Sequence, residues 1–209
     1  MTSVLAALTH ERERSYLLRT SSLGKCVRSC ATLSSLEQEL SCGPIDTLVY
    51  EPSFGLAHRP DIVRLIERLG VSIIIRLPLT PPAILELVTL IRVYPVTRVS
   101  IRTHEGLDAF TTSIAEREGD PIGTVVLALS CGVASEALQY LVGALALGRG
   151  RTSGNSHADT FGVSRRTLQA QHQRLALPYP RRMRAWGQAV WAAWRLERLA
   201  DCRNTLRTQ

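Results

Sequence analysis

The sequence predicts an α/β domain followed by an all-α domain, and three observations lead to this prediction. Residues 1–118 alternate short apolar segments, typical of strands, with amphipathic segments, typical of helices. From residue 133 onward the apolar residues recur at helical spacing. The charge is also divided: residues 149–209 hold twelve arginines and three acids, a net charge of +9, whereas residues 1–148 have a net charge of −2. We therefore predict domains at 1–120 and 151–209, joined by a linker and support helix at 121–150.

The N-terminal domain is predicted to contain five strand–helix units. The strands are residues 4–8, 25–31, 46–50, 71–75 and 97–101, and the helices begin near residues 11, 35, 60, 81 and 107. Ser34 is the expected N-cap of the second helix, and Gly70 is expected to end the third. Three successive isoleucines at 73–75 indicate a strand buried on both faces. Such alternation favours a parallel sheet covered by helices, with the flavodoxin-like strand order 2-1-3-4-5.

The third predicted strand carries a short motif. Asp-Thr-Leu-Val-Tyr-Glu at 46–51 resembles the strand of response-regulator receiver domains that ends in the phosphoacceptor aspartate, and the layout of residues 1–120 resembles the same domain. The resemblance places Glu51 at the acceptor position. It also implies an acidic pair after the first strand, a hydroxyl after the fourth and a lysine after the fifth. In this sequence the three positions hold, in the same order, Thr9-His10-Glu11, Arg76-Leu77-Pro78 and Arg102-Thr103-His104. We expect a pseudo-receiver with no phosphotransfer, no catalytic residue, no metal and no cofactor.

Residues 155–175 are typical of a helix-turn-helix. Ala158 is small enough for a close helix crossing, Gly162 allows the tight turn, and Ser164 is a suitable N-cap for the second helix. Val163 and Leu168 are expected to point into a small core. In a DNA-binding unit of this kind, the second helix enters the major groove.

Arginine and glutamine side chains on that helix are predicted to read DNA, because they form paired hydrogen bonds with guanine and adenine edges. Base readout is expected from Arg165, Arg166, Gln169 and Gln173, and phosphate contacts from Arg149, Arg151, Arg181 and Arg182. Ser164, Thr167 and Arg174 complete the predicted DNA-binding set. An ordinary helical hairpin with a solvated basic face is the alternative interpretation.

Phe-Gly-Val-Ser-Arg-Arg-Thr-Leu-Gln at 161–169 resembles the first helix-turn-helix of AraC-type transcription regulators, and Leu-Pro-Tyr-Pro-Arg-Arg-Met-Arg-Ala-Trp at 177–186 resembles the entry into their long linking helix. The resemblance covers roughly residues 133–200. It departs at His157 and Gln171, where the family usually has apolar residues, and only one such motif is expected. The resemblance implies a cytoplasmic transcription regulator that binds double-stranded DNA. Since one reading helix makes few contacts, we expect a homodimer on two half-sites.

Other functions remain open from sequence alone. Five cysteines lack a C-x-x-C pair, so reduced buried thiols are expected, with a thiol redox sensor as the alternative. Residues 122–148 carry only one charge, but glycines interrupt them, and we predict a buried helix and no membrane association. A signalling adaptor whose basic helices bind protein is the remaining rival; an enzyme is not favoured.

Overall fold

The computed structural model describes residues 3–19, 26–94, 98–102, 107, 110–111, 114, 120–149 and 157–207, with Cys26 and residues 201–207 as backbone only. The chain forms two compact units, Met1–Ser135 and Glu136–Gln209. The described residues of the predicted helix at 107–118, namely Leu107, Phe110, Thr111 and Ile114, are helical.

The N-terminal unit contains a five-stranded parallel sheet. Its strands are β1 (Ser3–Ala7), β2 (Cys26–Cys30), β3 (Thr47–Tyr50), β4 (Ser72–Leu77) and β5 (Arg98–Ile101). They lie in the order β2-β1-β3-β4-β5, with β1 between β2 and β3, so the flavodoxin-like prediction is confirmed. The strands begin and end within a residue or two of the predicted bounds. Ile73, Ile74 and Ile75 are all buried, as expected of a strand covered on both faces.

Helices cover the sheet: α1 (Glu11–Arg19), α2 (Leu33–Ser41), α3 (Pro60–Leu69) and α4 (Pro81–Val93). Gly70 ends α3 in the left-handed conformation, as predicted. The predicted N-cap of α2 is wrong. Thr32, not Ser34, caps this helix, because its hydroxyl accepts from the backbone N–H of Ser35 while the Ser35 hydroxyl accepts from that of Thr32.

Asp120 fixes the chain where the predicted linker begins. Its carboxylate accepts from the backbone N–H groups of Val99 (2.6 Å) and Ile122 (2.9 Å), which ties helix α5 (Ile122–Leu129) to the start of β5. Val126 and Ile122 are buried. The segment 121–150 therefore contains two helices, and the compact units divide within it, after Ser135.

The described residues of the C-terminal unit form helices joined by short turns. Its helices are α6 (Ser135–Arg149), α7 (His157–Thr160), α8 (Arg165–Arg174) and α9 (Pro180–Arg207). In the part of the chain that the structure describes, no helix combines the length and the apolar character needed to cross a bilayer.

Two glycines let α6 and α9 cross at backbone contact. A Cβ atom on Gly187 would lie 2.2 Å from the carbonyl oxygen of Ala144, and one on Gly148 would lie 2.4 Å from the carbonyl carbon of Gly187. Near the same crossing, the Trp191 indole N–H donates to the carbonyl of Leu145 at 2.7 Å. Any side chain at Gly187 must push the two helices apart.

We expect Gly187→Ala to lower the free energy of unfolding of the C-terminal unit by about 1–3 kcal/mol, because the added methyl group meets rigid backbone. Urea unfolding followed by tryptophan fluorescence measures this, since all three tryptophans lie in α9. Gln188→Ala, at the exposed neighbouring position, is the control and should change the value by no more than about 0.5 kcal/mol. Equal values for the two variants would contradict a backbone contact.

Candidate nucleic-acid interface

The turn between α7 and α8 has the geometry of a helix-turn-helix. Gly162 adopts φ +63°, in the left-handed region, and its N–H donates to the carbonyl of Asp159. Ser164 caps α8: its hydroxyl accepts from the backbone N–H of Thr167 at 3.1 Å and lies 2.8 Å from the Thr167 hydroxyl. The predicted turn glycine and N-cap are therefore confirmed, and Ser164 and Thr167 fix the first turn of α8.

A small core holds α8 in place. Leu168 packs with Tyr140 and Ala158, and Phe161, Val163, Leu175 and Leu177 lie around them. Gln171, on the same helix, accepts from the Tyr140 hydroxyl at 2.6 Å. The two residues expected to point inward, Val163 and Leu168, do so.

Two buried histidines complete this core. His157 is 5% exposed and meets His172 edge to face, with 5.6 Å between the ring centroids. Burial lowers the pKa of His157 to about 4, and His172 and Arg184 add to this effect. The backbone of Tyr140 and Pro180 acts to raise this pKa. Neither ring nitrogen of His157 makes a hydrogen bond of normal geometry. His157 is therefore neutral at pH 7.

An exposed stripe runs along the outer side of α8. Successive residues turn by about 100° around a helix axis, so Arg166 and Gln173 project roughly opposite the buried Leu168 and His172. Both are exposed, as is Gln169 at the flank of the stripe. This arrangement leaves guanidinium and carboxamide groups free to meet the edges of base pairs.

The remaining predicted DNA contacts lie in different surroundings. Arg165 and Arg181 are exposed side chains that line one cavity, and Arg182 is exposed in the first turn of α9. Arg174 forms an ion pair with Glu136. The Arg149 guanidinium lies over the Trp191 ring, 5.7 Å from its centroid. Arg151 lies outside the described residues.

The carboxyl edge of the sheet holds a second charged cluster, in the N-terminal unit. Glu51, at the end of β3, is 4% exposed. One of its oxygens, Oε2, accepts from the Thr9 N–H at 2.8 Å and the Thr9 hydroxyl at 2.7 Å, and lies 2.9 Å from the Arg102 guanidinium. Burial acts to raise the pKa of Glu51, but hydrogen bonds from Arg102 and Thr9 outweigh it and lower the pKa below its ordinary value.

Sequence reasoning missed the second carboxylate of this cluster. Glu13, in α1, binds Arg102 at 3.3 Å and Arg76 at 3.2 Å. Arg76 is 1% exposed; it also donates to the Ser100 hydroxyl at 2.7 Å, and its guanidinium lies 4.3 Å from the centre of the Phe110 ring. An arginine within the apolar strand Ser-Ile-Ile-Ile-Arg-Leu was the available signal, because a buried charge needs a partner.

This cluster does not fit a magnesium ion. Two carboxylates, Glu13 and Glu51, face two guanidinium groups, Arg76 and Arg102, so the four charges sum to zero. A divalent cation needs surplus negative charge and free oxygen ligands. Among the described residues, arginine nitrogens bind both oxygens of Glu13 and Oε2 of Glu51.

No protein-family model matches the sequence, and no curated protein sequence matches it either. Among solved structures, the chain is similar to RcsB in a structure of two RcsB dimers bound to two parallel DNAs. The similarity covers 88% of this chain and 97% of that chain, with 13% sequence identity and a TM-score of 0.42. An identity this low does not transfer a function to this chain.

Proposed function

We propose that this chain is a transcription regulator whose C-terminal unit binds duplex DNA through α8. The observation that carries the proposal is the exposed stripe of Arg166, Gln169 and Gln173 on a helix that follows a glycine turn and a serine cap. The surrounding charge supports it, because residues 149–209 have a net charge of +9 and DNA is a polyanion. The AraC-type resemblance and binding as a homodimer on two half-sites belong to this proposal.

The proposed roles differ between α8 and the start of α9. Arg166 lies in the first turn of the reading helix, so Arg166→Ala is expected to cost about 1–3 kcal/mol on a selected DNA site and to relax the preference at one base pair. Arg181, in the first turn of α9, is assigned to phosphate. Arg181→Ala should weaken binding to selected and random duplexes equally and lower the salt slope by about one unit per subunit. Fluorescence anisotropy at several salt concentrations, with a site selected from a random pool, measures both.

Arg198→Ala is the matched control. Arg198 lies seventeen residues beyond Arg181 on α9, about 25 Å along the helix axis, and its guanidinium lies over Trp194. We expect this control to leave the ratio of specific to random binding unchanged. If Arg166→Ala preserved that ratio while Arg181→Ala altered it, the wrong helix would have been assigned to the groove. If the full chain bound neither duplex at low salt, an adaptor that binds protein through its basic helices would replace this proposal.

We also propose that the N-terminal unit acts in dimerisation or signal input without phosphorylation. The neutral cluster around Glu51 supports this, because the carboxylate is buried and its Oε2 atom is already bonded by Thr9 and Arg102. Phosphoryl transfer to a carboxylate needs a metal ion to neutralise the developing charge, and the four charged side chains leave no surplus negative charge to bind one.

Incubation with acetyl phosphate and Mg²⁺ is therefore expected to add no phosphoryl group to the protein. Intact-mass and peptide mass spectrometry make the measurement. Glu51→Asp is the informative variant: it restores the usual acceptor side chain but keeps Arg76 and Arg102, so it too should remain unmodified. A phosphoryl adduct within residues 1–120 of the unaltered chain would contradict phosphorylation-independent action.

The thiol-sensor alternative receives no support from Cys30. Its burial raises the pKa of the thiol to about 12, with Glu39 contributing in the same direction and Arg14 in the other. A thiol that stays protonated at physiological pH is a poor nucleophile and reacts slowly with oxidants.

A further inference from the structure

A cavity of about 370 Å³ opens in the C-terminal unit, bounded by α7, α8 and the first turns of α9. Its apolar wall consists of Ala158, Leu168, Tyr179 and Pro180. The volume falls at the small end of the range of ligand pockets in proteins, which is about 300–1,000 Å³. A cavity of this size suits a compact small molecule better than a peptide segment of a partner protein.

The polar groups around this cavity are mainly cationic. Arg165, Arg181 and Arg184 contribute three guanidinium groups, and none of the lining residues that the structure describes is acidic. An apolar cavity surrounded by guanidinium groups is complementary to a molecule with an apolar body and a planar anionic group. Arginine binds carboxylates with paired hydrogen bonds, which an ammonium group cannot match.

His157 provides a second observation in the same place. It lines the cavity and is 5% exposed, and the backbone of Tyr140 and Pro180 lies near its ring without forming a hydrogen bond of normal geometry. A buried polar group without such a bond is costly, and a ligand that offers it a partner removes part of that cost. Since the ring is neutral at pH 7, it adds no charge of its own to the three arginines.

We propose that this cavity binds a small carboxylate that carries an apolar body, and that the bound carboxylate prevents Arg165 and Arg181 from contacting DNA. The second half of this statement rests on the proposed function, in which both arginines contact DNA. Binding of the carboxylate itself does not depend on DNA, so the two halves are tested separately.

Calorimetric titration of the full chain with phenylacetate and with hexanoate tests the first half. Both carboxylates are expected to bind, and their uncharged amides should bind at least about tenfold more weakly, because the charge-assisted hydrogen bonds are lost. Tyr179→Ala removes part of the apolar wall from a side chain that is 56% exposed, so it should fold normally and bind about tenfold more weakly. Arg184→Gln should weaken binding similarly, whereas Arg198→Gln, remote on the same helix, removes the same charge without effect.

Three results would overturn the site. The first is no binding of either carboxylate at millimolar concentration. The second is equal binding of the acids and their amides. The third is inorganic phosphate binding as tightly as phenylacetate, with Tyr179→Ala unchanged, since exposed arginines alone would then explain the affinity.

Competition with DNA tests the second half. For mutually exclusive binding, a ligand at about ten times its Kd raises the apparent Kd for DNA about tenfold. Tyr179→Ala, which binds the carboxylate about tenfold more weakly, should reduce this rise to about twofold at the same ligand concentration while keeping its affinity for DNA. If the chain bound the carboxylate but not DNA, the cavity site would stand and the proposed function would be wrong. If it bound DNA equally well with and without the bound carboxylate, the proposed competition would be wrong.

Discussion

Replacement of Arg76 by methionine is expected to lower the free energy of unfolding of the N-terminal unit by about 3–5 kcal/mol. Arg76 crosses the carboxyl edge of the sheet, where it binds Glu13 at 3.2 Å, donates to Ser100 at 2.7 Å and donates to the carbonyl of Ile101 at 3.2 Å. Methionine keeps the apolar length of the side chain but leaves a buried carboxylate and a buried hydroxyl without these donors. Glu13 keeps its contact with Arg102, but two buried carboxylates then share one guanidinium group. The surplus buried charge costs far more than the ion pair contributes.

A second substitution separates charge from packing. In Glu13→Gln/Arg76→Met the opposite charge is also removed, so most of the lost stability should return. Hydrogen exchange in urea, followed by mass spectrometry of peptides that cover β4 and β5, reports on this unit in the full chain. Arg92→Met, an exposed arginine on the neighbouring helix α4, is the control and should stay within about 0.5 kcal/mol of the unaltered chain. If Arg76→Met behaved like Arg92→Met, the cluster would not hold the sheet edge together.

The same cluster contains an interaction that the sequence alone could not predict. Glu13 and Arg76 are 63 residues apart, and no local pattern pairs side chains over that distance. The strands and helices were predictable because their signals, apolar periodicity and terminating glycines or prolines, lie within the segments themselves. A charged side chain inside a buried strand signals that a partner exists, but it does not identify the partner.

The candidate DNA-binding surface was predictable in part for the same reason. Gly162 and Ser164 act within one turn of their own positions, so their roles could be predicted from the sequence. The ion pair of Arg174 with Glu136 and the cavity that joins Arg165 to Arg181 depend on how helices pack against one another. Where the two compact units divide within the predicted linker 121–150 depends on such a contact as well, because the carboxylate of Asp120 binds α5 to the sheet.

The burial of His157 has a measurable consequence. The structure buries its imidazole beside His172 and Phe161, next to the small core around Tyr140. An imidazole in these surroundings is tolerated as long as it is neutral, because burial opposes its protonation.

The C-terminal unit is therefore expected to lose stability as the pH falls below neutrality. The pKa of His157 is lowered from 6.5 to about 4 in the folded chain, so between these values the unfolded chain binds more protons than the folded one. The stabilising contribution is fully present above pH 6.5 and is lost as the pH falls toward 4. It amounts to roughly 3 kcal/mol in total, of which about 2 kcal/mol should be lost by pH 5.

His157→Leu removes the titrating group and places an apolar side chain at this position. Its free energy of unfolding should be nearly independent of pH between 7 and 5, so the variant should be less stable than or equal to the unaltered chain at pH 7 and more stable at pH 5. Urea unfolding followed by tryptophan fluorescence makes the comparison within the C-terminal unit. His10→Leu, an exposed histidine of the other unit, should leave the pH dependence intact. A chain whose stability did not fall between pH 7 and pH 5, or a His157→Leu variant with an unchanged slope, would show that His157 is not buried as a neutral ring.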